Sequence, residues 1–241
     1  DEYDKIKKKN RYILNISRGC PFGCSHCLIQ LTEGRIERRR SIENVKQAIE
    51  EIKQKYKHIK IWAANFTLNK EYVKKFCEMM KKEEIEKRVE RAKELFKQGF
   101  NCSQSVFAAC ADLYGIDNEA LALRLSASFG GGIGRMRATC GAACGMFMLA
   151  GLENGSAKAG DAEGKMQNYA LVQDLAAKFR DENGSMICAE LLSGVRSQES
   201  GTTNKWDNPT PEARTEEYYK KRPCVEMVAS AVRMFLEELS V

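Results

Sequence analysis

The chain has 241 residues, 43% of them hydrophobic and 30% charged, and no apolar run approaches the roughly 20 residues that a bilayer span needs. The opening DEYDKIKKKN is polar throughout and lacks the apolar core of a secretory signal, so a cytoplasmic protein without a membrane partner is expected. The net charge of +6 conceals a split: residues 1–82 hold 20 Lys and Arg against 10 Asp and Glu, a net of +10, and the remainder holds 19 against 23, a net of −4. Two modules of different character are implied, and no basic patch interleaved with aromatics argues for a nucleic-acid partner.

The first 82 residues alternate strand and helix. RYILNIS (11–17) is a short run of strand formers. It ends in RGCPFGCSHC, which places Cys20, Cys24 and Cys27 at the spacing C-x3-C-x2-C. Three thiolates on one tight loop suggest an iron–sulfur cluster with one iron left open, since thiolates suit the soft iron ions. Ser41 caps a helix that puts Ile42, Val45, Ile49 and Ile52 on one face. HIKIWAANF (58–66) reads as a second strand. NKEYVKKFCEMMKK (69–82) reads as a second helix, with Tyr72, Val73, Phe76, Met79 and Met80 as its apolar stripe and Cys77 as a small packing residue in it.

From residue 83 onward the pattern is helical. Ile85, Val89, Ala92, Leu95 and Phe96 form one stripe, which ends at Gly99 as a C-cap. No glycine or proline separates this helix from the one before it, so a single helix could run across the join, as in a natural or engineered fusion. NCSQSVFAACADLYG, NEALALRLSASF, CGAACGMFMLAGL, KMQNYALVQDLAAKFRDENG, SMICAELLSG and PCVEMVASAVRMFLEELS follow, with a polar loop over 194–217. The fold class is mainly α: an all-helical bundle over residues 83–241, preceded by a small βαβα segment over residues 1–82.

Four cysteines share a placement. Cys102 follows the cap Asn101, Cys140 opens CGAACGMFML, Cys188 lies three residues after Ser185, and Cys224 follows Pro223. Four cysteines at four predicted helix N-termini are hard to ascribe to packing. The partial positive charge there lowers a thiol pKa and stabilises a thiolate or an anionic cluster. Converging ends would make a metal centre or a pair of exchangeable disulfides. Cys144, four residues after Cys140 on the same face, is a reserve ligand or resolving thiol; Cys110 reads as a buried apolar residue. Zinc is less favoured, because no paired C-x2-C knuckle occurs, and thiol–disulfide redox is an alternative. In FGGGIGRMR, Gly130, Gly131, Gly132 and Gly134 with Arg135 and Arg137 could cradle an anion. More simply, the glycines let this loop pass close to the cysteine centre. The two histidines, His26 and His58, offer no His-based catalytic pair. Trp206, Tyr218 and Tyr219 could cover the site, with surface packing the simpler reading.

The cysteine loop, with His26 before its last cysteine and directly after a first strand, resembles the cluster loop of radical SAM enzymes, and RRRSIENV and NFTLNKEYVKKFCE resemble their cobalamin-dependent branch. The resemblance implies a 4Fe–4S cluster held by Cys20, Cys24 and Cys27 with S-adenosylmethionine on the open iron. Ala63 and Ala64 stand where that branch often has two acidic residues, and only two βα units are present, so a partner or a dimer mate would complete the barrel. Residues 88–240 resemble the redox family named for a C-GCAxxG-C-C pattern, through FNCSQSVF, FGGGIGRM, CGAACG, GSMICAELL and RPCVEMV. That resemblance implies a small all-helical protein with four shared cysteines, Cys102, Cys140, Cys188 and Cys224, and a redox or metal role. The combined expectation is an iron–sulfur redox protein acting with a redox partner protein or a small-molecule substrate.

Overall fold

The computed structural model describes residues 11–56, 58–193, 210–211 and 213–239. Trp206 and most of the 194–217 loop lie outside the described residues. The chain divides into two compact units, one to Glu83 and the other from Glu84.

In the first unit, β1 (Arg11–Asn15) pairs in parallel with β4 (His58–Trp62), from Arg11 opposite His58 to Asn15 opposite Trp62. The connection carries β2 (Ser17–Arg18), α1 (Ile29–Glu33), β3 (Arg38–Arg39) and α2 (Ile42–Lys53). β2 and β3 pair antiparallel. Ser41 caps α2 as expected, its hydroxyl accepting from the Asn44 N–H. The core is Leu14 and Ile16 from the strand side, Val45 and Ile49 from α2 and Phe76 from α3, where α3 is the helix Lys70–Lys97. Cys77 corrects the sequence reading. It is exposed, because the inward face of α3 passes through Phe76 and Met79, and Cys77 lies about 100° round the helix from Phe76.

Among the described residues of the second unit the regular elements are helices. The predicted join carries no break, and α3 continues to Lys97. α4 (Cys102–Cys110) starts at a complete capping box, with Asn101 accepting from the Gln104 N–H and the Gln104 side chain accepting from the Asn101 N–H. Then come α5 (Glu119–Ser126), α6 (Gly141–Asn154), α7 (Ala162–Asn183), α8 (Cys188–Leu191), α9 (Glu216–Lys221) and α10 (Cys224–Glu238). α9 lies partly within the stretch expected to be loop. One core gathers Val89 and Phe96 of α3, Val106 and Phe107 of α4, Met146 and Leu149 of α6, Leu175 and Phe179 of α7, and Val228, Val232 and Phe235 of α10. Cys110 is fully buried among these side chains, as the sequence suggested. Among the described residues no helix is long and apolar enough to cross a membrane.

Candidate redox site

The four predicted cysteines all stand at helix starts. Cys102, Cys188 and Cys224 are the first residues of α4, α8 and α10, and Cys140 is the N-cap of α6. Backbone pairing draws Cys140 and Cys188 together. Thr139 and Ile187 form an isolated β-bridge, the Cys140 N–H donates to the Met186 carbonyl at 2.8 Å, and the Cys188 N–H donates to the Ala138 carbonyl at 2.7 Å. Cys102 and Cys224 both line one cavity, and each thiol shifts the other's ionisation. Cys144 lies one turn into α6 with its thiol on the Thr139 carbonyl at 3.9 Å.

Burial, more than the helix ends, sets the thiol chemistry. It pushes Cys140 up to about 12 against two backbone N–H donors of α6, raises Cys144 to about 11, and raises Cys188 despite Arg137, whose Nη1 lies 4.0 Å from the sulfur. The lowering expected at every helix N-terminus therefore holds at Cys224 alone. There the hydrogen bond from Cys102, helped by the Arg222, Arg214 and Arg137 guanidiniums, outweighs burial and brings the thiol down to about 7. Cys102 is raised in turn, first because its proton is engaged by Cys224 and then by burial.

Cys102, Cys188 and Cys224 open onto one cavity of about 390 Å³. Gly130, Gly131 and Gly134 of the glycine loop also line it. Gly132 does not, and its role is the close approach: it has φ +76°, and a Cβ there would lie 2.6 Å from the Cys188 Cβ. Arg135 and Arg137 also line the cavity. Sequence reasoning assigned no role to Arg214 or Arg222. Each stacks on the Tyr218 ring with its guanidinium carbon 4.7 Å from the ring centroid, and all three line the cavity. The available signal was the arginine directly before Pro223-Cys224.

In the first unit, Cys20 and Cys27 are half-buried and Cys24 is exposed. Gly19 has φ +81°, and a Cβ there would meet the Ile36 carbonyl oxygen at 2.2 Å, so only glycine lets the loop start where it does. Ala63 and Ala64 directly follow β4.

Residues 100–238 match the family model described as "Putative redox-active protein (C_GCAxxG_C_C)". The chain belongs to the C-GCAxxG-C-C family. The matched stretch contains all of Cys102, Cys140, Cys188 and Cys224, and the cavity that three of them, Cys102, Cys188 and Cys224, border. Residues 14–102 match the model of the radical SAM superfamily, so the segment with Cys20, Cys24 and Cys27 is similar to those proteins. No curated protein and no solved structure matches the chain.

The radical SAM match implies an iron–sulfur cluster and S-adenosylmethionine, and the thiol donors of both cysteine sets are of the right chemical type for iron. Their placement is less favourable. Among the described residues no group of three or more His, Cys, Asp or Glu side chains is disposed to hold a metal ion. A mononuclear tetrahedral centre, which needs four sulfurs about 2.3 Å from one point, is therefore not formed by either set. A cluster spaces its ligand sulfurs more widely than a single ion does.

Proposed function

We propose that this C-GCAxxG-C-C protein is a thiol redox protein whose working pair is Cys102 and Cys224, cycling between two thiols and one disulfide. The observation that carries this reading is that these two cysteines, each the first residue of its helix, line one cavity. Cys224, at the first position of the 15-residue helix α10 and beside Arg222, is the thiolate that attacks. Cys102 holds its proton until the second step and then resolves. Closing the pair releases two electrons and two protons to the acceptor. Cys140 and Cys188 are further thiols that burial raises.

The test is mild oxidation of the reduced, metal-free chain, followed by peptide mapping without reduction. The expected result is the loss of two free thiols and recovery of a peptide joining Cys102 to Cys224, absent in Cys224→Ser. Closure of another pair, or none, sinks the assignment.

A second reading, an iron–sulfur centre in the same place, is favoured by the presence of four thiols near enough to perturb one another's ionisation. Cys102, Cys140, Cys188 and Cys224 would hold it, and it would supply one-electron chemistry. Anaerobic reconstitution with iron and sulfide decides this: iron content and visible absorption that fall in Cys140→Ser support the cluster, and values unchanged by that substitution support the dithiol alone. For the first unit, the radical SAM match supports a second cluster on Cys20, Cys24 and Cys27. S-adenosylmethionine cleavage by the chain, alone or with a partner completing its barrel, would be read as 5′-deoxyadenosine formed with a reductant.

A further inference from the structure

The cavity beside the cysteines has a wall chemistry that the dithiol reading does not by itself require. Arg135, Arg137, Arg214 and Arg222 all line it. Arg222 is 8% exposed. Arg214 is the informative one. Its guanidinium carbon packs 4.6 Å from the Phe96 ring centroid and its Nη2 donates to the Phe100 carbonyl at 3.4 Å. Its Nη1 is buried with no hydrogen-bond partner. A buried guanidinium N–H without an acceptor is costly, and a planar fork of this kind matches a carboxylate or a phosphate. The volume of about 390 Å³ lies within the range of small-molecule sites, roughly 300–1,000 Å³, with room for an organic molecule beside the sulfurs.

We infer that the cavity binds a small carboxylated disulfide, its anionic ends held by Arg214 and the neighbouring guanidiniums and its sulfurs against Cys224. This rests on the dithiol reading and names its substrate class. A disulfide is the oxidant that a dithiol pair reduces with no further reactant. Cys224 loses its proton and its sulfur attacks one substrate sulfur. The substrate S–S bond breaks, one carboxylated thiolate leaves and takes up a proton, and a mixed disulfide forms on Cys224. Cys102 then loses its proton and attacks the Cys224 sulfur, expelling the second carboxylated thiol. The substrate gains two electrons and two protons, and the protein is left with the Cys102–Cys224 disulfide. Run backwards, the same steps let carboxylated thiols reduce the protein.

The test uses the reduced full chain and three disulfides of nearly equal size and different charge: dithiodipropionate (anionic), hydroxyethyl disulfide (neutral) and cystamine (cationic). Each exchange rate is divided by the rate of the same disulfide with a small free thiol. Dithiodipropionate is expected to exceed cystamine by about tenfold or more in this normalised rate, as a cationic site steers an anion. The ratio should shrink as salt is raised and lose most of its value in Arg214→Gln, and also in Arg135→Gln, which guards against misfolding of the first variant. Equal normalised rates for the three would overturn the inference and leave the dithiol reading standing. A preference that survives both arginine substitutions would overturn the placement in this cavity. No exchange with any of the three would sink the dithiol reading; calorimetry of dithiodipropionate on Cys102→Ser/Cys224→Ser then reads the anion site separately, and absence of heat there overturns it as well.

Discussion

The packing of α4 on α6 sets where Cys102 stands relative to Cys140, and two glycines of α6 allow it to be measured. A Cβ built on Gly145 would lie 2.8 Å from the Ser103 carbonyl oxygen and 2.9 Å from the Val106 Cβ, both on α4. A Cβ on Gly151, two turns further along the same helix, meets nothing within 4 Å. Gly→Ala gains about 0.5–1 kcal/mol of helix stability at either place, so this gain cancels when the two variants are compared. What remains is the overpacking cost at Gly145, about 1–3 kcal/mol, because α4 must move by several tenths of an ångström. Gly151→Ala should therefore be more stable than the parent. Gly145→Ala should fall below Gly151→Ala by that amount in urea denaturation, and by about 2–4 °C in Tm for each kcal/mol. Formation of the Cys102–Cys224 disulfide should slow in Gly145→Ala and stay at the parental rate in Gly151→Ala. Equal stabilisation by both substitutions would show that α4 and α6 do not approach as described.

Arg88 is 9% exposed and donates to Asp112 through both terminal nitrogens, to the Ala109 carbonyl at 2.9 Å and to Glu84; Arg88→Met keeps the stem but strands that carbonyl, and should cost about 2 kcal/mol in chemical denaturation. The same bond sets a pH dependence. Arg88 holds the Asp112 carboxyl below its ordinary value, so its contribution is complete above the ordinary carboxylate range and is lost as pH falls through the lowered value. The stability deficit of Asp112→Asn should accordingly be largest near neutrality and close at acid pH, whereas a deficit independent of pH would contradict the pairing. In the native, metal-free chain an aromatic disulfide reagent should label the exposed Cys24 and Cys77, and Cys224 on the cavity wall, well before Cys110. Cys110, buried and pushed up to about 12, should be labelled only on unfolding, and prompt reaction there would contradict its burial. Gly132→Ala puts a methyl against Cys188 at a left-handed position and should lower the disulfide exchange rate while the far-ultraviolet dichroism holds; an unchanged rate would detach the glycine loop from the site.

Much of the helical architecture was legible because periodicity and caps act locally. The stripe through Val89, Ala92 and Phe96 faces the core, and the Ser41 and Asn101 caps make the bonds that their residue types favour. The pairing of β2 with β3 was not legible, since two-residue strands made of Ser17, Arg18, Arg38 and Arg39 carry no alternation to read. Cys77 was misread for a related reason: a stripe of five apolar positions in 14 residues fixes a helix face only to within one residue. At the site, the helix-start placement of four cysteines was visible in the sequence. That Cys102 and Cys224, 122 positions apart in the chain, line one cavity was not, because it depends on how α4 and α10 pack.

The glycine loop shows where local rules give way. Ile133, Arg135 and Arg137 all have positive φ, near 60°, a conformation that costs a non-glycine residue about 1–2 kcal/mol and is least tolerated by a β-branched side chain. Such strain persists only where the surroundings over-determine it, and here both sides of the loop are pinned. The Gly134 N–H donates to the Ser128 carbonyl at 2.7 Å, the Ala138 N–H to Gly132, and the Cys188 and Ala189 N–H groups to Ala138 and Arg137. These bonds tie the loop to α8 at the residue that begins with Cys188. A relaxed loop would carry glycine at positions 135 and 137 and would bring no guanidinium to the cavity. The strained backbone at Arg135 and Arg137 is therefore where the helical unit gives up stability to set positive charge beside its thiols.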